Sequence, residues 1–322
     1  MQKKIIFLAA ILAIVLLSGC TEPSRCGDGI CDENEQLNPE LCPQDCPAEA
    51  GIQPYYIAIH CEPAGLNQAN YQILKDYIES ANAYNIKLTL MFSDTWASYI
   101  AASPQRMAEL REWERQGHEI AGHHHSIYHG YWDGYTNYTW EEARAKRIEI
   151  RGRAEPYLGT LDDFMEKLKQ INSGMNSGCM NEEDTMKAIP NEIIYDTCSG
   201  FYNFGEPARK YYAGDPELAR NEYVTTGIVN GIERKWLTHG QITSVEKQQA
   251  VKEIFETANS GTLGAVVHAS GNSSQNLLLL DFLDFLHEKD PQGEKSMTLT
   301  EIIESGKLPE QNIGRFCGES LC

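Results

Sequence analysis

Short apolar runs alternate with segments whose apolar residues recur three and four positions apart, and this alternation is sustained from Tyr55 to Ile303. Tyr55, Tyr56, Ile57, Ala58 and Ile59 read as a strand, and Tyr71, Leu74, Ile78 and Ala81 follow at helical spacing. A second strand is predicted over 88–92. Ser103 and Pro104 then offer an N-cap and a first-turn proline for a helix with Met107 and Leu110 on one face and a stop at Gly117. Thr139 and Glu142 form a capping-box pattern that opens a long helical stretch, broken near Pro156. Further on, the pattern predicts a strand over 192–195, a helix over 245–258, a strand over 263–267 and a helix over 277–286. Strands that alternate with helices, with no internal repeat, imply an α/β chain with a parallel sheet and outer helices, either doubly wound or closed into a barrel.

The first 50 residues do not follow this pattern. Lys3 and Lys4 precede an apolar run over 5–17, and Leu17-Ser18-Gly19-Cys20 closes it with small residues. The run is shorter than the ~20 residues that cross a bilayer, so it reads as an export signal over 1–19. Leu-Ser-Gly-Cys resembles the lipobox of prokaryotic lipoproteins, which implies a lipid on Cys20 and a membrane-anchored chain on the extracytoplasmic face. No other stretch is long and apolar enough to span a membrane. Residues 20–50 hold Cys26, Cys31, Cys42 and Cys46 among acidic and small residues, with almost no large apolar side chains. Such a module needs disulfide staples rather than a hydrophobic core, and sequence does not choose among the three pairings of four cysteines. Asp28, Asp32, Asn34, Glu35 and Asp45 offer oxygen ligands for a hard cation such as calcium, with a metal-free spacer as the alternative. A linker over 47–51 leads to the main domain, 51–310, and a tail over 311–322 follows it.

Charge removes one class of partner. The net charge of −19 would repel a phosphate backbone, which argues against nucleic acid and leaves neutral glycans open. Ten cysteines fit an oxidising compartment, where Cys179 with Cys198, and Cys317 with Cys322, are candidate disulfides. The sequons at Asn137 and Asn272 agree with an outside location.

Three polar groups each follow an apolar strand: His60-Cys61-Glu62, then His123-His124-His125 with His129, then His268. Strand ends of a parallel barrel open on one face, so groups far apart in sequence would converge there. Alternation puts His60 and Glu62 on one side of their strand, and His123 and His125 on one side of theirs. His125 and His129, four apart, are spaced to meet one ion. Four of the nine histidines fall between His123 and His129, a density hard to read as core packing. Imidazoles with one carboxylate make a borderline site of the zinc type, with a position left for water. Cys61 turns away from both neighbours and reads as buried. Trp132-Asp133-Gly134-Tyr135 is either an aromatic platform for a sugar ring or simple packing, and His239 alone reads as structural.

Residues 117–123, Gly-His-Glu-Ile-Ala-Gly-His, and His125-Ser126-Ile127-Tyr128-His129 resemble the second motif of the polysaccharide deacetylase superfamily, the NodB homology domain. Gly264-Ala265-Val266-Val267-His268 resembles its last motif, and residues 285–289 and 297–303 its closing elements. The resemblance implies a distorted seven-stranded (β/α) barrel and a metal-dependent hydrolase that deacetylates N-acetylated or O-acetylated polysaccharide. It implies Glu62, His123, His125 and His129 as metal ligands, His268 as general acid, and His60 as either base or additional ligand. The family's first motif carries two aspartates where this chain has His60-Cys61-Glu62. A clear Arg-Pro-Tyr motif is absent, Arg153 and Pro156-Tyr157 coming close. These departures keep two other classes open: a non-catalytic glycan-binding surface lipoprotein, and a lipoprotein whose histidines sequester zinc.

Overall fold

The computed structural model describes residues 27, 52–64, 66–180, 189–198, 215–269, 273–317 and 320–321. Cys20, the four cysteines of the N-terminal module with their acidic neighbours, Asn272 and Cys322 lie outside the described residues. The chain divides into two units, 1–51 and 52–322, and every described strand and helix belongs to the second.

Strand β1 (Tyr55–Cys61) is buried at every position, as a continuous apolar run requires. It lies between β2 (Leu88–Phe92) and β10 (Thr262–His268), parallel to both. The parallel series continues through β3 (Glu119–His123), β4 (Ser177–Cys179), β5 (Tyr195–Asp196) and β8 (Ile232–Trp236). β8 then turns back on β7 (Val224–Val229), and β11 (Glu310–Cys317) adds parallel to β7, with β12 (Ser320–Leu321) beyond it. At the other end β6 (Arg220–Asn221) pairs antiparallel with β10, which also carries β9 (Gly240–Gln241).

The expected barrel is therefore corrected in one respect. The sheet order runs β12-β11-β7-β8-β5-β4-β3-β2-β1-β10-β6, an open path among the described residues. β8 spends its second edge on β7 and β10 spends its own on β6 and β9, so the two ends of the parallel series do not pair.

Eight described helices pack around the sheet: α1 (Gln68–Ala83), α2 (Asp94–Ala101), α3 (Pro104–Arg115), α4 (Trp140–Arg151), α5 (Leu161–Leu168), α6 (Val245–Thr257), α7 (Ser273–Lys289) and α8 (Leu299–Glu304). The Ser103 hydroxyl caps α3 above Pro104, and the Thr139–Glu142 capping box opens α4 as predicted. α4 stops earlier than the expected Pro156, because Gly152 adopts a left-handed C-cap (φ 72°). The strand expected over 192–195 is realised only as the two residues of β5.

Period-two alternation separates two cores. Tyr55, Ile57, Ile59 and Cys61 of β1 join Leu90 and Phe92 of β2 against the helices, with Tyr77, Trp96, Phe164, Phe255 and Phe282. Tyr56 and Ala58 face the other way, with Met91, Ala121, Val266 and the α8 residues Leu299, Ile302 and Ile303. His60, His123 and His268 share the parity of this second, smaller core. That parity decides which face of the sheet carries the chemistry.

Candidate metal centre

Parallel pairing fixes which residues meet at the strand ends. His60 stands opposite His268 across β1 and β10, and His123 stands opposite Cys179 across β3 and β4. Glu62 lies just past the end of β1, and His125 just past the end of β3. All of these are at the carboxyl edge of the parallel strands, where ligands of α/β sheets bind.

The Glu62 carboxylate is the hub. Its oxygens lie 3.0 Å from His125 Nε2, 3.5 Å from His123 Nε2 and 3.3 Å from His268 Nε2. His123 Nε2 and His125 Nε2 are themselves 3.0 Å apart. Nitrogen and oxygen ligands held about 2.0–2.1 Å from one tetrahedral ion lie roughly 3.4 Å from each other, which is close to the spacing seen. His125 Nδ1 donates to the Tyr131 carbonyl at 2.8 Å, so in the neutral ring Nε2 presents a lone pair toward Glu62 and His123. A carboxylate and two ring nitrogens crowd one spot that a single proton satisfies only in part, and the donor set fits a divalent ion of the zinc type.

Asp133 orients this set from behind. Its Oδ2 accepts the His125 backbone N–H at 3.0 Å and lies 2.7 Å from His124 Nδ1, while Oδ1 accepts the Tyr135 N–H at 3.1 Å. The loop after β3 is also held by Arg147 of α4, fully buried, which donates to the carbonyls of Ile127 and His129 and pairs with Glu155. Neither residue was singled out for this role by the sequence. The capping box at Thr139 fixes the phase of α4 and hence where Arg147 points, but a long-range bond to a loop carbonyl has no local signature.

Electrostatics follow from burial against Glu62. Burial would raise the Glu62 carboxyl, but His123 and His125 outweigh it and hold it far below the usual carboxylate range. Burial pushes His125 down, yet Glu62 and the Tyr131 carbonyl leave it above its ordinary value. His60, 4 % exposed, is driven well below 6.5 by burial and by His123, His268 and His239 around it. Its ring stacks on that of His123 at 4.2 Å and meets His268 edge-on at 5.3 Å.

His129 sits apart from the hub. Its ring lies 3.9 Å over that of His125, its Nδ1 accepts the Tyr131 N–H at 3.0 Å, and burial beside His125 lowers it to about 4. Among the described residues, the groups able to hold an ion are Glu62 with His123 and His125, Glu62 with His60 and His268, and two further sets that combine His60 with a cysteine. Cys61 is a buried free thiol on the helix side, turned from the hub as alternation predicts. Trp132 lines a cleft of about 290 Å³ with Pro63, Asp94, Tyr131 and Arg151, whereas Tyr135 is buried and donates to Asp94. Arg153 also lines that cleft, with its side chain exposed and paired to Glu155 at 3.3 Å. His239 is buried beside His60.

The profile of a family described as RET, Cysteine Rich Domain matches residues 14–74. No curated protein matches the chain. Among solved structures, it is similar to peptidoglycan deacetylase PdaC from Bacillus subtilis at 11 % identity and a TM-score of 0.39, over 80 % of this chain and 92 % of that one. It is also similar to a 4-alpha-glucanotransferase from Thermococcus litoralis at 12 % identity and a TM-score of 0.46, over 82 % of this chain and 42 % of that one. A third likeness, to a probable polysaccharide deacetylase from Pseudomonas aeruginosa PAO1, stands at 13 % identity and a TM-score of 0.35, over 78 % and 88 % of the two chains. At these identities and scores the likenesses carry no assignment of function.

Proposed function

We propose that the chain is a metal-dependent hydrolase that removes acetyl groups from N-acetylated or O-acetylated polysaccharide. The observation that carries this reading is the Glu62 carboxylate ringed by His123, His125 and His268 at 3.0–3.5 Å, at the carboxyl edge of the parallel strands. The His125-Ser126-Ile127-Tyr128-His129 motif, which resembles that of the deacetylase superfamily, leads away from the same spot.

Glu62, His123 and His125 would hold the ion, with zinc as the best match to two imidazoles and a carboxylate. Bound there, a divalent metal supplies Lewis acidity toward an acetyl carbonyl and a lowered pKa for water. His60, held neutral by burial, is a proton acceptor at neutral pH and takes the proton that the attacking water loses. His268, with a fifth of its side chain exposed, stands nearest solvent among these rings; burial lowers its pKa, and its protonated form is the one that donates at Nε2 to the leaving nitrogen or oxygen, ending as the neutral ring. Water oxygen ends in acetate, the acetyl C–N or C–O bond breaks, and the leaving group departs protonated. Trp132 and the exposed Tyr131, beside Pro63 in the cleft, offer ring faces to a sugar.

The expected result is acetate release from acetylated oligosaccharides by zinc-loaded protein, with a loss of at least ~100-fold in Glu62→Ala. No release across a panel of N-acetyl and O-acetyl glycans, with glycan binding intact, would replace the enzyme with a binding protein that kept the fold. Zinc uptake with neither release nor glycan binding would favour sequestration. The reading also places the chain outside a membrane, tethered through Cys20.

A further inference from the structure

The two cysteine-containing groups around His60 are not used by the hydrolase reading. Cys179, at the end of β4, and Cys198, just past β5, are joined as a disulfide and are both 3 % exposed. His239, on the segment between β8 and β9, is 1 % exposed, and its Nε2 lies 3.8 Å from Cys198 Sγ. One ligand atom each from His60, Cys198 and His239 falls within 4.8 Å of the others, and the same holds for His60, His123 and Cys179. His60 and His239 meet edge-on, with ring centroids 5.5 Å apart.

The disulfide packs into the smaller apolar core, with His239 Nε2 beside Cys198, and two buried ring nitrogens nearby, His60 Nε2 and His239 Nδ1 on the far side of its ring, find no hydrogen-bond partner. Orphaned buried nitrogens of this kind call for an explanation, and an unfilled ligand site is one. The spacing agrees, since a sulfur about 2.3 Å and a nitrogen about 2.0 Å from one tetrahedral ion lie roughly 3.6 Å apart. Disulfide sulfurs are poor ligands, whereas thiolates are strong ones for zinc and cobalt.

We infer that reduction of the Cys179–Cys198 disulfide creates a second metal site, in which Cys198, Cys179, His60 and His239 bind a soft divalent cation. The chemistry balances through thiol–disulfide exchange. A dithiol donor is oxidised to its own disulfide as the protein disulfide becomes two thiols, and the cation then displaces the two thiol protons. In the cell the donor class is a thiol–disulfide oxidoreductase. Occupation of this site removes His60 as the proton acceptor, so metal-loaded reduced protein releases acetate more slowly than oxidised protein. That last consequence rests on the deacetylase reading, while the metal site does not.

Cobalt(II) alone is the probe, added to the full-length protein before and after treatment with a dithiol. On reduction the wild type is expected to take up about one cobalt beyond what its other cysteines bind, and to show thiolate-to-cobalt charge-transfer absorption above theirs. His239→Ala, which leaves the disulfide in place in the oxidised protein, and Cys198→Ser should each lose that increment. Cysteines of the N-terminal segment contribute equally to every variant and cancel in the difference. Equal charge-transfer absorption in reduced wild type and both variants would overturn the inference, and so would a loss in Cys198→Ser without one in His239→Ala. Cobalt held by the oxidised protein and lost in Glu62→Ala reads the first site alone, because that site has no sulfur.

Discussion

At the scale of single residues, the proposed metal site depends on groups that touch the candidate ligands as well as on those ligands. Asp133 fixes the loop through the His125 N–H and through His124, and the Tyr131 carbonyl fixes the His125 ring. Partners of this type are typically worth about 10–100-fold in metal affinity. Asp133→Asn is therefore expected to weaken zinc binding by about that factor in a competition titration, while Tyr131→Phe, which keeps the carbonyl, leaves it unchanged. His118 is a histidine of another kind. It accepts the Leu88 N–H at Nδ1, is 4 % exposed, and burial lowers it to about 4. Its folded-state pKa lies below the ordinary 6.5, so its contribution to stability is complete above pH 6.5 and is lost as pH falls toward 4. Between those limits the unfolded chain takes up a proton that the folded chain refuses, at a cost of about 2–3 kcal/mol. Denaturant unfolding of wild type and His118→Gln at pH 7 and pH 4.5 should show the shallower loss in the variant; parallel losses would remove His118 from the account.

At the scale of elements, close approach of strands sets limits that composition does not. Gly122 of β3 pairs with Gly178 of β4, and a Cβ at Gly178 would come within 2.5 Å of the Gly122 carbonyl oxygen. This is backbone against backbone, so no rotamer relieves it. Gly178→Ala is expected to cost about 1–3 kcal/mol in unfolding experiments and to disturb His123 and Cys179, which form the next pair in the same register. The β7–β8 hairpin shows a signal that periodicity passes over. Asn230 and Gly231 both have positive φ, 52° and 82°, as a two-residue turn of right-handed twist needs, and Asn-Gly between Val229 and Ile232 is its sequence mark. Capping signals, by contrast, transferred directly: Thr139 with Glu142 reads the same in sequence and structure, because both partners lie within one turn.

At the scale of the whole molecule, the unit over 52–322 is one part of a chain that also carries a signal-like start and a cysteine-rich stretch. No helix among the described residues is long and apolar enough to cross a membrane; the tether we propose is a lipid on Cys20. A single acyl chain gives only marginal binding, and stable anchoring takes a second signal, which the additional acyl chains of a lipoprotein supply. Expressed with its signal, the chain should partition with membranes and incorporate labelled fatty acid, and Cys20→Ala should release it. Wild-type chain that stays in the aqueous fraction would remove the tether from the proposed function without touching the site.

β4, the β7–β8 pair, β11, α2 and α5 were not read from the order of residues. Other local features were legible in it: the long apolar strands β1, β2, β3 and β10, the capped starts of α3 and α4, which side of β1 takes His60 rather than Cys61, and that polar groups follow three apolar strands. These are consequences of periods of two and 3.6 residues and of caps spanning one turn, so a short window reveals them. Folding in three dimensions settled what those groups meet. β1 and β10 are about 200 residues apart in the chain, yet their register sets His60 opposite His268, and the β3–β4 register sets His123 opposite Cys179. The open sheet, the buried Arg147 holding the loop after β3, the role of Asp133, and the approach of His239 to the Cys179–Cys198 disulfide all arise from such long-range pairing. Register and loop closure join residues that share no local pattern, and so the sequence supplied the ligands while the packing of distant strands chose how they are grouped.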